Sequence, residues 1–194
     1  HSNLAGVLID GGAKSNLIGG SVAGERNTIS GNFYEGITVS GEGTDGNLIL
    51  GNIIGAAAIA DTSVVRAASR GDDELAWQSR SPMSNGSAGV FLSKGTKRTI
   101  VGGGSSSGSS SDGNLIVYNG GNGIEVHTQD SQQNSAQSNL ISQNAQGGIA
   151  LYDGSNNGIT PPVFTQVERL SGNSAYANAR AKAKVRIKGT ASMN

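Results

Sequence analysis

The chain has 194 residues, with 14 Lys+Arg against 14 Asp+Glu for a formal net charge of zero, 31 Gly, 3 Pro, 4% aromatic residues and no Cys. No apolar run reaches the roughly 18 residues that a membrane-spanning helix needs, and the lack of Cys excludes disulfides and thiolate metal sites. With so few aromatic residues, a core must be layered from small aliphatic side chains. No signal peptide is present and the chain opens at His1, which is expected of a processed chain or a piece of one.

Taken in order, the elements are short and of two kinds. One opens with Gly: Gly6-Val7-Leu8-Ile9, Gly36-Ile37-Thr38-Val39, Gly89-Val90-Phe91-Leu92, Gly123-Ile124-Glu125-Val126 and Gly148-Ile149-Ala150-Leu151. The other opens with Asn or a stand-in: Asn16-Leu17-Ile18, Asn27-Thr28-Ile29, Asn47-Leu48-Ile49, Arg98-Thr99-Ile100, Asn114-Leu115-Ile116 and Asn139-Leu140-Ile141. Each is rich in β-branched residues and bounded by Gly, Asn or Ser, the mark of a short strand between turns. The phrase Asn-x-x-x-x-Asn, closed by Gly-Ile, recurs at Asn27–Asn32, Asn114–Asn119 and Asn139–Asn144, and Asn47–Asn52 repeats its first half. Recurrence at a fixed period means one unit stacked on itself. From Asn27 to Asn47 is 20 residues and from Gly123 to Gly148 is 25, enough for a rung of three short strands. A longer period overlies this one: Gly6 to Gly89 is 83 residues and Gly36 to Gly123 is 87.

The expected fold is therefore all-β: a right-handed parallel β-helix, or β-solenoid, over residues 1–162, with a C-terminal β-hairpin or edge-strand extension over 163–194. Alternation points Ile124 and Val126 inward, onto Ile37, Val39, Ile149 and Leu151, and turns Glu125 and His127 outward. The strand-opening glycines suit corners of positive φ. The repeated asparagines tolerate that geometry too, and their amides are expected to bond from rung to rung as a ladder. Residues 56–85 interrupt the repeat as an excursion, with a short amphipathic helix expected there and Trp77 as its anchor. Beyond Pro161-Pro162, the segment 179–188 places Arg180, Lys182, Lys184, Arg186 and Lys188 on one face and Ala181, Ala183, Val185 and Ile187 on the other. Charge is segregated accordingly: residues 1–162 hold 13 acids and 8 bases, and residues 163–194 hold one acid and six bases.

The string Gly-Val-Leu-Ile-Asp-Gly-Gly-Ala-Lys-Ser-Asn-Leu-Ile-Gly-Gly over residues 6–20, followed by Asn27–Asn32 and residues 47–55, resembles the bacterial right-handed parallel β-helix repeat proteins. The resemblance covers residues 3–55 and 86–162. It implies a secreted or surface-exposed bacterial protein and leaves the activity open. In that family an Ig-like module often follows the coil, and residues 188–192 resemble the opening of one.

Enzymes on parallel β-helices carry their sites on the outer face of a strand row. The outward rows here are Leu8, Thr38, Phe91, Glu125 and Ala150, then Asp10, Ser40, Ser93, His127 and Tyr152. Only Glu125 and His127 are suited to acid–base work, and a glycosidase needs a second, facing carboxylate. Asp72-Asp73-Glu74 lacks calcium-loop spacing, and no metal or cofactor motif is found. The expected function is a non-enzymatic extracellular structural or adhesive module that associates with copies of itself along the solenoid axis, as a filament or surface-layer subunit. The alternatives are a carbohydrate-binding module, with Phe91, His127 and Tyr152 stacking on sugar rings, and a polysaccharide lyase or hydrolase using Glu125 and His127. The basic strip from Arg180 to Lys188 offers a docking surface for anionic glycans or cell-surface polymers. It lacks the interleaved aromatics that nucleic-acid binding calls for.

Overall fold

The structure is a computed structural model that describes residues 3–57, 82–103, 112–158, 163–170 and 184–190. The core of the expected excursion, Trp77 and the acidic run 72–74 included, lies outside the described residues, as do Arg180 and Lys182. The chain divides into two compact units, His1–Gly158 and Ile159–Asn194, and each is described by itself.

In the first unit the strands follow one another in threes. The first rung is β1 (Val7–Ile9), β2 (Leu17–Gly19) and β3 (Thr28–Ile29). The second is β4 (Ile37–Ser40), β5 (Leu48–Leu50) and β6 (Ile53–Ile54), and the third is β7 (Val90–Ser93), β8 (Ile100–Val101) and β9 (Leu115–Val117). The fourth is β10 (Asn122–Val126), β11 (Ser135–Ala136) and β12 (Leu140–Ser142), and β13 (Gly147–Leu151) begins a fifth. Each strand pairs in parallel with its equivalents one rung away, giving sheets ordered β1-β4-β7-β10-β13, β2-β5-β8-β11 and β3-β6-β9-β12. This is the expected parallel β-helix. The helical elements it carries are short 3₁₀ turns, as at Ala23–Glu25 and Ser155–Gly158. Among the described residues the first sheet reaches one strand further than the other two, so the coil ends there on a step.

Successive rungs are uneven in length. From Val7 to its partner Ile37 is 30 residues, from Ile37 to Val90 is 53, from Val90 to Ile124 is 34, and from Ile124 to Ile149 is 25. The excess in the second interval is the excursion, whose ends meet where Ala56 bridges Pro82. The 83-residue period thus spans two rungs. The 20-residue step from Asn27 to Asn47 is no rung at all: Asn27 stands one rung from Asn52, and Asn47 one rung from Asn16.

Inward residues stack in columns. Ile37, Val90 and Ile124 form one and Val39, Leu92 and Val126 another, while Ile49 with Val101 and Ile54 with Ile116 line the other two sheets, all in a single apolar core. Full burial of one such side chain contributes roughly 1.5–3 kcal/mol, and a thin coil admits nothing larger than Leu or Ile.

The ladder is built as expected. Asn27 donates its Nδ2 to Asn52 Oδ1 at 3.0 Å, Asn52 to Asn114 at 3.1 Å and Asn114 to Asn139 at 2.9 Å. A second file runs Asn32, Asn85, Asn119 and Asn144, with separations of 2.8, 2.8 and 2.9 Å. The second amide hydrogen goes to a main-chain carbonyl of the preceding rung, as from Asn114 to Ile49 at 2.7 Å and from Asn144 to Ile116 at 3.0 Å. Buried amides are thereby satisfied on both sides. A third polar file, not read from the sequence, is made of the fully buried hydroxyls Thr44, Thr96, Ser131 and Ser155.

Two expectations about the corners need correction. Positive φ falls on the residue before many of the ladder positions, not on the strand-opening glycine: Ser15 at 55°, Arg98 at 52°, Tyr118 at 60°, Ser138 at 53° and Gln143 at 52°, although Arg26 before Asn27 is extended at −74°. Four of the five strand-opening glycines, Gly6, Gly36, Gly89 and Gly123, are demanded by crowding instead. A Cβ on Gly89 would lie 2.6 Å from Ile116 Cγ2, 2.7 Å from Gly123 O and 2.9 Å from Asn119 Nδ2. The coil closes so tightly at this corner that a methyl group has no room.

The second unit is an antiparallel pair, β14 (Val163–Leu170) and β15 (Lys184–Thr190). Lys184, Arg186 and Lys188 occupy alternate positions, with Leu170, Glu168 and Gln166 as their cross-strand partners.

Candidate functional site

The outward rows fall in register as the alternation requires. Leu8 pairs with Thr38, Thr38 with Phe91, Phe91 with Glu125 and Glu125 with Ala150. On the neighbouring row Ser40 pairs with Ser93, and the Tyr152 main chain bonds to Val126 beside His127. Parallel pairing sets equivalent residues about 4.8 Å apart, so β7, β10 and the end of β13 bring Phe91, His127 and Tyr152 into one stack. The Phe91 and His127 ring centroids are 4.8 Å apart at 41°, and those of His127 and Tyr152 are 4.3 Å apart at 26°. His127 therefore has a ring against each of its faces, and the aromatic surface the sequence offered to sugars is spent in part on the stack itself.

Beneath the stack lies a polar network. Glu125 Oε2 is 3.0 Å from His127 Nε2. Its Oε1 accepts from Asn122 Nδ2 at 2.9 Å and from the Asn122 main-chain N–H at 3.3 Å. Asn122 Nδ2 is also 3.2 Å from the Tyr152 hydroxyl and 3.4 Å from Gln146 Oε1. Partial burial pulls the Glu125 pKa upward, but the hydrogen bonds from Asn122 and His127 outweigh it and hold the carboxyl below its usual range. Glu125 keeps 12% of its side-chain surface in solvent and His127 27%. A carboxylate with both oxygens engaged positions its neighbours; it is poorly placed to exchange protons with a substrate.

The sequence named Phe91, Glu125, His127 and Tyr152, and the fold brings these four together. It missed Asn122 and Gln146. Asn122 falls on the inward parity of β10 and is buried, so alternation carried no signal that its amide turns to Glu125. Gln146 sits on the turn before β13, where only the rung register places it beside Asn122. Lys184, Arg186 and Lys188 belong to the second unit. A further exposed apolar group at the corner before β4, Leu4, Phe33, Tyr34 and Met83, was also unforeseen. Among the described residues no group of three or more His, Cys, Asp or Glu is arranged to hold a metal ion. No family model, curated protein or solved structure matches the chain.

Proposed function

We propose that the chain is a non-enzymatic structural and adhesive β-solenoid that associates with copies of itself through the ends of its coil, outside the cell. One observation carries this reading. In the column Ile37, Val90, Ile124, Ile149 the first three members are 0–1% exposed, and Ile149 is 53% exposed. The core thus runs out to the coil's end unfinished, on a strand with one edge unpaired among the described residues. An open edge of this kind templates pairing with another chain.

The ladders add a direction. The amide-to-amide bonds all run toward the C-terminal end of the coil, so acceptors such as Asn27 Oδ1 stand at one end and donors such as the Asn139 main-chain N–H at the other. Unlike ends favour head-to-tail contact, which propagates instead of closing. The acidic first part and basic second part of the chain favour contact between unlike parts of neighbouring copies in the same way. A neighbour must meet the stepped end left by β13. The resemblance to bacterial β-helix repeat proteins supports the extracellular setting.

Sedimentation of the 194-residue chain across concentration tests the reading. Mass growing with concentration is expected, and Ile149→Asp should abolish the growth while leaving the circular dichroism unchanged. A monomer at all concentrations in low salt counts against it. A second reading, carbohydrate binding on the outer face, is favoured by the Phe91–His127–Tyr152 stack. It is tested by glycan binding before and after Tyr152→Ala.

A further inference from the structure

The network under the aromatic stack fixes which of its atoms give hydrogen bonds and which accept them. Glu125, held below its usual range, accepts through Oε2, so the His127 nitrogen facing it, Nε2, carries a proton, and in that tautomer Nδ1 is the acceptor. Asn122 Nδ2 donates to the Tyr152 oxygen at 3.2 Å, which leaves the tyrosine hydrogen free to donate outward. Gln146 Oε1, 3.4 Å from the same Nδ2, competes for its two hydrogens, and Gln146 stands exposed at the edge of the network. The outer display is one ring-nitrogen acceptor and one hydroxyl donor over the Glu125 carboxylate, with the Gln146 amide at its edge. Beside it lies the ring face of Tyr152 turned away from His127, on a residue 38% exposed. Among the described residues Lys94, the base nearest in register, stands beyond Ser93 at the turn where its main chain bonds to Thr128.

This pattern matches groups that donate and accept at once, as sugar hydroxyls do. It mismatches a carboxylate, which cannot donate to Nδ1 and meets the charge of Glu125. We propose that this face binds uncharged glycans, with His127 Nδ1, the Tyr152 hydroxyl and the Gln146 amide as contacts, and selects against uronic acids. The proposal rests on the carbohydrate reading and narrows its ligand class. Glu125 and Asn122 are positioning residues: the first sets the imidazole tautomer, the second the direction of the tyrosine hydroxyl.

Titration calorimetry with gluco-, manno- and galacto-hexaoses against their uronic-acid counterparts tests it. A neutral hexaose should bind about tenfold or more tightly than its acidic counterpart. Tyr152→Phe, which keeps the ring stack, should lose most of that binding. Glu125→Gln replaces the acceptor with a donor, and the imidazole ¹⁵N shifts should report the proton moved to Nδ1, with binding weakened in parallel. Equal or tighter binding of the uronic acids, or unchanged binding by Tyr152→Phe, overturns the proposal and leaves carbohydrate binding standing. No binding to any hexaose overturns both.

Discussion

Truncation of Asn114 to Ala probes the ladder where it is most enclosed. Asn114 is 1% exposed. Its Oδ1 accepts from the Asn52 main-chain N–H at 2.9 Å and from Asn52 Nδ2 at 3.1 Å. Its Nδ2 donates to Ile49 O at 2.7 Å and to Asn139 Oδ1 at 2.9 Å. After truncation Asn52 Nδ2 still reaches Ile18 O, and Asn139 Oδ1 still receives the main-chain N–H of residue 114. The Asn52 N–H loses its acceptor inside the coil, whereas the Ile49 carbonyl keeps the Gly102 main-chain N–H at 2.7 Å. At roughly 1–3 kcal/mol for that stranded group, with the other lost bonds adding a little, Asn114→Ala should cost about 3 kcal/mol, a sizeable share of the ~5–15 kcal/mol that holds a domain folded. Asn27→Ala removes one amide donation at the exposed end of the same file and should cost about 1 kcal/mol. Urea unfolding followed by circular dichroism measures both, with the m-value as a check that the folded state is unchanged. Equal losses for the two variants would refute the view that the ladder stabilises by satisfying buried main-chain groups.

Crowding at the strand-opening corner makes Gly89→Ala cost about 1–3 kcal/mol or more, whereas Gly148→Ala, whose Cβ would meet only Ile141 at 3.9 Å, should be nearly neutral in thermal unfolding. Because the Glu125 pKa is lowered in the folded state, its contribution is present above the unfolded carboxylate pKa and is lost as pH falls through the folded value. The stability gap between the native chain and Glu125→Gln should accordingly shrink between neutral pH and about pH 3; a gap that widens in acid contradicts the network. If charge segregation aids association, molar salt should weaken it, and light scattering that is insensitive to salt removes that contribution while leaving the apolar end contact.

The coil was legible because its constraints are local and repeated. Alternation placed Ile124 and Val126 inward and Glu125 and His127 outward, and each rung imposes the same requirement on the next. The ladder was legible because Asn recurs at fixed distance from Ile. Register was harder: Asn27 and Asn47 belong to different corners, and only the main-chain pairing tells Asn52 from Asn47 as the true partner. The glycines were located correctly and explained wrongly, since a sequence shows where a side chain is missing and not whether φ or a neighbour forbids it. The site was half legible. Its exposed members follow from strand parity, but Asn122 and Gln146 join it through turns, where parity lapses. The exposure of Ile149 follows from a fifth rung of which only the first strand is present among the described residues, a property of the stack that no single repeat encodes.

Negative-stain electron microscopy of the concentrated chain in low salt tests the central claim most directly. The account predicts rods that lengthen with concentration along the coil axis. Uniform particles of single-chain size at every concentration would contradict it.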